Sequence, residues 1–254
     1  MNFSYTDLIS GDSIFLRGVG HIRPPQLKEL LPTKGIGEFT YNLYLNILTW
    51  NKSDVYKFIG FFSEKKAAIL KNNEQLSVFD LITVIDELRM LVEKTLSFFL
   101  DEELKWDGVR HKFITLEKNS QKQIGEITRE NFDEVRDCIL QMNYITGGIK
   151  KDTEIKFASK KAKILWERAQ KYNWDGSGKK SQNKKLTLGN IVSKLCAANI
   201  GYNLLNIYEL TIYQLYDQFF QMKYLHGVAL GERIYTNYGG KRFDPEGWLN
   251  PIAK

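Results

Sequence analysis

The longest amphipathic pattern in the chain lies close to its C-terminal end. From position 208, apolar side chains recur at alternating intervals of four and three residues, which is the spacing of one helix face. This first stripe consists of Tyr208, Ile212, Leu215, Phe219 and Met222. A second stripe beside it consists of Tyr213, Tyr216, Phe220 and Tyr224. Together the two stripes cover about 200° of the helix, against roughly 100° for an ordinary surface helix.

Two interpretations of this large apolar surface are open. In the first, the helix is central to its own domain and is buried on two sides. In the second, the first stripe belongs to the core and the tyrosine-rich flank binds a partner, because tyrosine combines a large contact area with a polar tip. The second interpretation predicts a partner-binding surface made of Tyr213, Tyr216, Phe220 and Tyr224. A membrane partner is not predicted, since the chain has no run of about 18–20 apolar residues.

The remaining pattern predicts a mainly α protein with a small β element, an α+β fold. Residues 77–100 form the most regular predicted helix, with a continuous apolar stripe from Val78 to Phe99. Residues 38–50 are also predicted to be helical, with Phe39, Leu43, Ile47 and Trp50 on one face. Residues 13–22 favour one or two short strands. A turn at 106–108, a strand at 109–117 and a second strand at 123–127 predict a short β-hairpin near 105–127.

Charge divides the chain into three predicted regions. Residues 150–185 hold twelve Lys and Arg against four Asp and Glu, a net charge of +8, whereas the whole chain carries +6. The rest of the chain is therefore slightly acidic. We predict a mainly helical domain at 1–148, a basic helix and linker at 149–185, and a helical C-terminal region with a tail at 186–254.

The basic segment is a candidate nucleic-acid-binding element, because lysines neutralise phosphates and interleaved aromatic rings stack on bases. The candidate residues are Lys160, Lys161, Lys163, Lys179, Lys180, Lys184 and Lys185. The alternative is a solvated helix face followed by a tether, and a basic segment is weaker evidence for nucleic acid than a basic domain.

No arrangement of residues in the sequence indicates a catalytic, cofactor-binding or metal-binding site, so no catalytic residue, cofactor or metal site is predicted. The three histidines, His21, His111 and His226, are too far apart for a metal-binding pair on one helix. The stretch GSGKKS at 176–181 lacks the first glycine of a phosphate-binding loop, and a predicted helix rather than a strand precedes it. Cys138 and Cys196 lie in apolar helical contexts and are expected to be unpaired thiols. We expect a protein without enzymatic activity.

Three stretches together resemble proteins from the tail modules of phages and prophages of low-GC Gram-positive bacteria. They are residues 18–48 (GVGHIRPPQLKELLPTKGIGEFTYNLYLNIL), residues 186–220, and the closing FDPEGWLNPI at 243–252. Within such modules, the chain most resembles tail assembly chaperones. This resemblance implies a protein that binds a tail-tube or tape-measure protein in the bacterial host cytoplasm. Two alternatives remain open: a phage-encoded inhibitor of a host defence protein, and a nucleic-acid-binding protein that uses residues 150–185.

Overall fold

The computed structural model describes residues 3–73, 75–145, 187–198 and 201–238, in which helices predominate. The helices before residue 145 are α1 (Tyr5–Ser10), α2 (Glu38–Leu48), α3 (Lys52–Phe62), α4 (Glu64–Lys71), α5 (Val78–Thr83), α6 (Asp86–Phe99) and α7 (Phe132–Met142). The later helices are α8 (Leu188–Ala197) and α9 (Ile212–Tyr238), and short 3-10 helices cover Leu27–Leu30 and Ile207–Glu209. The predicted class, mainly α with a small β element, is confirmed.

Two antiparallel sheets make up the β structure of the described residues. Strands β1 (Ile14–Leu16) and β2 (Gly20–Ile22) form a hairpin in which Phe15 pairs with His21. Strands β3 (Glu103–Asp107), β4 (Lys112–Leu116) and β5 (Gln123–Ile127) form a three-stranded sheet in that order. The prediction of a turn at 106–108 is wrong, because Trp106 pairs with Phe113 inside the sheet. The chain reverses after Asp107 instead, where His111 takes a positive φ of 50°.

The predicted helix at 77–100 is two helices rather than one. Its start is as expected, because Ser77 and Asp80 form a reciprocal capping box with each other's backbone N–H groups. Helix α5 ends at Thr83, its last helical backbone bond runs from the Val84 N–H to Asp80 O (3.1 Å), and Ile85 has extended backbone angles of φ −118° and ψ 115°. Residues 82–85 are four β-branched residues in succession, which lose side-chain freedom in a helix. The predicted apolar stripe nevertheless faces the core, with Leu81, Leu88 and Phe99 buried.

Helix α2 buries only part of its predicted face, since Ile47, Leu43 and Trp50 meet the core and Phe39 does not. Phe39 is 83% exposed, whereas Tyr41, Tyr44, Leu45, Ile47 and Leu48 are buried. The buried guanidinium of Arg136 on α7 fixes the C-terminal end of α2, where carbonyl groups lack helical partners. It donates hydrogen bonds to the carbonyl oxygens of Leu48 (2.8 Å) and Trp50 (2.6 Å). Burial lowers the pKa of Arg136 to about 10, and the nearby Asp133 opposes this shift.

A single hydrophobic cluster joins residues from both sides of the basic segment. It includes Phe99, Phe113 and Val135 together with Ile191 and Leu215. Backbone hydrogen bonds reinforce this contact: the Leu27 N–H donates to Leu210 O (2.8 Å), and the Ile212 N–H donates to Pro25 O (3.1 Å). Helices α8 and α9 therefore pack in the same core as α2, α6 and α7. The predicted division into regions 1–148, 149–185 and 186–254 stays a prediction.

Candidate partner-binding surface

Helix α9 begins with a reciprocal cap that its sequence encodes locally. The Thr211 N–H donates to Gln214 Oε1 (2.9 Å), and the Gln214 N–H donates to Thr211 Oγ1 (3.2 Å). This is the arrangement of a capping box, which satisfies backbone donors that have no helical partner. From this start the helix runs for 27 residues to Tyr238. At 1.5 Å per residue it is about 40 Å long, which is longer than the core beneath it requires.

The first three turns of α9 are packed on three sides. One side lies in the core, where Ile212, Leu215 and Phe219 are buried. These are three of the five residues of the first apolar stripe, and the other two, Tyr208 and Met222, are partly buried against the same core. The second side meets Tyr144, and the third side meets α1. The interpretation of a central helix buried within its own fold therefore describes the first half of α9.

Tyr144 covers the second side of α9 with its ring. Its centroid lies 5.1 Å from that of Tyr213, 5.8 Å from that of Tyr216 and 5.5 Å from that of Phe220. The rings of Tyr144 and Phe220 are nearly parallel, with an interplanar angle of 12°. Such contacts stabilise aromatic groups beyond their buried area. Tyr144 was not among the predicted site residues, because its distance in sequence hides this contact from any local pattern.

The backbone at Tyr144 explains how its ring reaches α9. Tyr144 follows the end of α7 with φ 62°, in the left-handed region that a helix C-terminus usually fills with glycine. The Ile145 N–H donates to Leu140 O (2.9 Å), and the Tyr144 N–H donates to Gln141 O (3.1 Å). These two bonds form a Schellman motif, which closes the helix and turns the following chain. A tyrosine at this position carries backbone strain that its aromatic contacts must offset.

Helix α1 covers the third side of α9 through polar contacts. The Tyr5 hydroxyl donates to Asp217 Oδ2 (2.8 Å), and Gln214 Nε2 donates to Ile9 O (2.9 Å). Asp217 is itself buried. Burial, and after it the Asp217 carboxylate, raises the pKa of Tyr5, Tyr144 and Tyr213 to about 12. These hydroxyl groups therefore stay protonated at neutral pH and act as hydrogen-bonding groups.

The predicted partner-binding residues are not equally accessible. Tyr213 is 2% exposed, so its proposed role in an accessible surface is wrong for the folded chain. Tyr216 and Phe220 are half-buried and stack on Tyr144, and Tyr224 is half-buried one turn further along. Tyr213, Tyr216 and Phe220 thus all contact the Tyr144 ring within the fold. A role for Tyr216, Phe220 and Tyr224 in partner binding stays a prediction.

Beyond Met222, the second half of α9 has much more exposed apolar surface. In the arc described next, Ile234 is 49% exposed and Tyr235 45%, and Leu225 (50%) and Leu230 (59%) are exposed just outside its two edges. Counting 100° per residue, an apolar arc of about 120° runs along this half. It is made of Tyr224, Gly227, Val228, Gly231, Ile234 and Tyr235. The arc continues the face that Tyr213, Asp217 and Phe220 present to Tyr144 and α1 in the first half. We call residues 223–238 the distal segment of α9.

A second apolar feature is a groove beside α8 with a volume of about 440 Å³. Its lining includes Leu31, Pro32, Leu188, Val192, Leu204 and Tyr208. Leu204 is 63% exposed at its rim. Residues 27–38 and 188–208 together shape it, so the N-terminal and C-terminal parts of the chain both contribute to it.

The other features considered in the sequence are nucleic-acid-binding lysines, metal ligands and membrane-crossing helices, and none adds residues to the candidate surface. The candidate nucleic-acid-binding lysines at 160, 161, 163, 179, 180, 184 and 185 lie outside the described residues. Where side chains are described, no group of three His, Cys, Asp or Glu residues is placed to hold a metal ion. Among the described helices, none combines the length and apolar character of a bilayer-crossing segment.

Comparison with known proteins associates the chain with phages. Residues 179–253 match the family model described as the YomV second domain, a phage-derived domain of the Bacillus prophage YomV type. The match covers less than a third of the chain, and it includes α8 and the whole of α9. No curated protein matches the chain, and no solved structure matches it.

Proposed function

We propose that the protein is a non-enzymatic phage tail assembly factor that binds a tail-tube or tape-measure protein through the distal segment of α9. The observation that carries this proposal is the exposure of the apolar distal segment. Folded monomeric proteins seldom present a contiguous apolar surface unless it serves an interaction. The phage-associated match includes this segment, and the resemblance to tail assembly chaperones supports the same type of partner.

The chemistry of the distal segment suits a chaperone of this kind. Residues 223–238 contain Lys223, His226, Glu232 and Arg233, so the segment has little net charge. Its contacts would come from apolar and aromatic groups, which supply most of the binding energy in protein interfaces. An assembly chaperone covers the apolar surface of an unassembled partner and needs no cofactor. This role would place the protein in the bacterial host cytoplasm, where tail proteins are made.

Co-expression with the tail-tube and tape-measure proteins of the same phage tests this proposal. We expect the protein to increase the soluble fraction of one of these partners and to co-purify with it. The double variant Ile234→Ser and Tyr235→Ser should lose both effects, because it removes two large side chains from the apolar arc. Circular dichroism checks that the variant keeps its fold.

A matched control variant is available on the opposite side of the same helix turn. Arg233 and Asn237 are exposed and lie away from the apolar arc. Arg233→Ser and Asn237→Ser together should leave co-purification unchanged. If both double variants lose binding equally, the effect comes from the overall stability of α9. If the variant with Ile234→Ser and Tyr235→Ser binds as well as the wild type, the distal segment is excluded as the partner-binding surface.

A further inference from the structure

The corner between α3 and α4 carries two exposed aromatic rings at its apex. Helix α3 ends at Phe62, and Ser63 alone separates it from the start of α4 at Glu64. The Ser63 hydroxyl accepts a hydrogen bond from the Lys66 N–H, which caps α4 and holds the sharp corner. Phe61 is 87% exposed and Phe62 71%. We call residues 61–66 the apex.

A row of aromatic contacts anchors these rings to the fold. The Trp50 and Phe58 centroids lie 5.2 Å apart, and the Phe58 and Phe62 centroids lie 5.2 Å apart. Phe61 then meets Phe62 edge to face at 5.5 Å. Trp50 and Phe58 pack against the hydrophobic core, so the row leads outward from it. The two exposed rings are therefore held side by side before any partner arrives, which lowers the entropic cost of binding.

Lysines lie on both sides of the two rings in the sequence. Lys65 and Lys66 belong to the apex and lie in the first turn of α4, and Lys57 lies one turn before Phe61 on α3. The Lys57 ammonium is 3.7 Å from Asp54 Oδ1, but the Lys57 side chain is 60% exposed. Residues 52–71 hold five Lys against two acidic residues, a net charge of +3. The apex thus combines apolar surface with positive charge.

Folding does not account for this combination. The first turn of α4 holds Glu64, which the helix dipole favours, together with Lys65 and Lys66, which it disfavours. Helix α4 has no buried residue, and exposing Phe61 and Phe62 leaves apolar surface in water. Both features cost stability, so their place on the apex is better explained by a partner that is apolar and anionic.

We propose that the apex binds an anionic lipid surface, with Phe61 and Phe62 inserted at the level of the headgroups. The apex is convex, and a deformable lipid surface accommodates two adjacent protruding rings without a preformed pocket. The lysine stems can lie along apolar surface while their ammonium groups contact lipid phosphates. The binding is superficial and reversible, and it does not require a membrane-crossing segment.

Sedimentation with lipid vesicles tests this proposal on the full chain. We expect the protein to sediment with vesicles that contain phosphatidylglycerol and to remain in solution with vesicles of phosphatidylcholine alone. High salt should weaken the binding, because it screens the lysine charges. Phe61→Ser with Phe62→Ser, and separately Lys65→Glu with Lys66→Glu, should each weaken vesicle binding by at least about tenfold.

Two matched controls separate the apex from general apolar and charge effects. Phe39→Ser changes an exposed phenylalanine elsewhere, on α2, and should leave vesicle binding unchanged. Lys118→Glu with Lys122→Glu makes the same change in net charge on the exposed connection between β4 and β5, and binding should again be retained.

The lipid proposal is overturned if the wild-type protein does not sediment with phosphatidylglycerol vesicles. It is equally overturned if apex and control variants bind vesicles alike. Binding to an acidic, phenylalanine-rich peptide without binding to vesicles would assign a protein partner to the apex instead. All variants alter exposed side chains, so circular dichroism should show an unchanged fold in each.

Discussion

At the scale of single residues, Tyr144 links the backbone of one helix to the side chains of another. Its left-handed backbone conformation closes α7, and its ring packs against Tyr213, Tyr216 and Phe220 on α9. For a residue with a β-carbon, this conformation costs roughly 1–2 kcal/mol relative to a right-handed one. The aromatic contacts compensate, since each such pair contributes roughly 0.5–1.5 kcal/mol beyond burial.

Substitution of Tyr144 should separate the backbone strain from the ring contacts. We expect both Tyr144→Ala and Tyr144→Gly to lower the free energy of unfolding, because both remove the ring. The glycine variant should be the more stable by about 1 kcal/mol, because glycine adopts the left-handed conformation without strain. Urea denaturation measures both values.

The matched control for Tyr144 is Glu134, which is exposed on α7. There the order should reverse, and Glu134→Ala should be more stable than Glu134→Gly, because alanine has the higher helix propensity. An alanine variant at 144 as stable as the glycine variant would contradict the left-handed assignment.

Three tyrosines near Asp217 also predict how stability depends on pH. The folded-state pKa of Tyr5, Tyr144 and Tyr213 is raised from 10.0 to about 12. A group with a raised folded-state pKa stabilises the fold fully below its unfolded-state pKa, and this contribution is lost as the pH rises through the folded-state pKa. We therefore expect the urea midpoint to fall between about pH 10 and pH 12, and these groups should make it no more pH-dependent near neutrality.

Asp217 provides the comparison for this pH dependence. Its carboxylate is among the causes of all three shifts, after burial. In Asp217→Asn, the folded-state pKa of these tyrosines should lie closer to its ordinary value, so the alkaline loss of stability should be smaller and should end at a lower pH. An identical alkaline decline in both proteins would show that Asp217 does not influence these tyrosines.

At the scale of secondary-structure elements, regular apolar spacing predicted the helices best. It located α2, α6 and α9 and the buried stripe of Ile212, Leu215 and Phe219. It did not predict the break at residues 82–85. The apolar stripe of residues 77–100 stays in phase across α5 and α6, so the spacing alone does not show the break. The β-branched residues at the break disfavour a helical backbone. Strand β3 was missed because Trp106-Asp107-Gly108 has the composition of a turn.

The candidate site was harder to predict than the elements that carry it. Helical periodicity placed Tyr213 and Phe220 on a flank of α9, but it contains no information on what covers that flank. Tyr144 and α1 cover it from distant parts of the chain. The distal segment was not singled out from the sequence, since its glycines and scattered polar residues weaken the apolar pattern. Its exposure arises because the core, Tyr144 and α1 pack only against the first half of α9, which local sequence does not reveal.

At the scale of the whole molecule, one shared core leaves two separate surfaces for interaction. Helices α8 and α9 join α2, α6 and α7 in that core, which fixes the starting direction of α9. The distal segment of α9 then offers apolar surface with little net charge, whereas the α3–α4 apex offers aromatic rings among lysines. A tail assembly factor that also contacts an anionic membrane surface would use both, and the two sets of variants allow each role to be tested alone.

Hydrogen exchange of α9 in the free protein and in its complex with a co-expressed tail protein tests the central claim most directly. In the free protein, amides at 226–238 should exchange faster than those at 215–222, because only the first half is packed on three sides. In the complex, the amides at 226–238 should become protected while those at 215–222 change little. Unchanged exchange at 226–238 in a stable complex would contradict the proposal that the distal segment binds the partner.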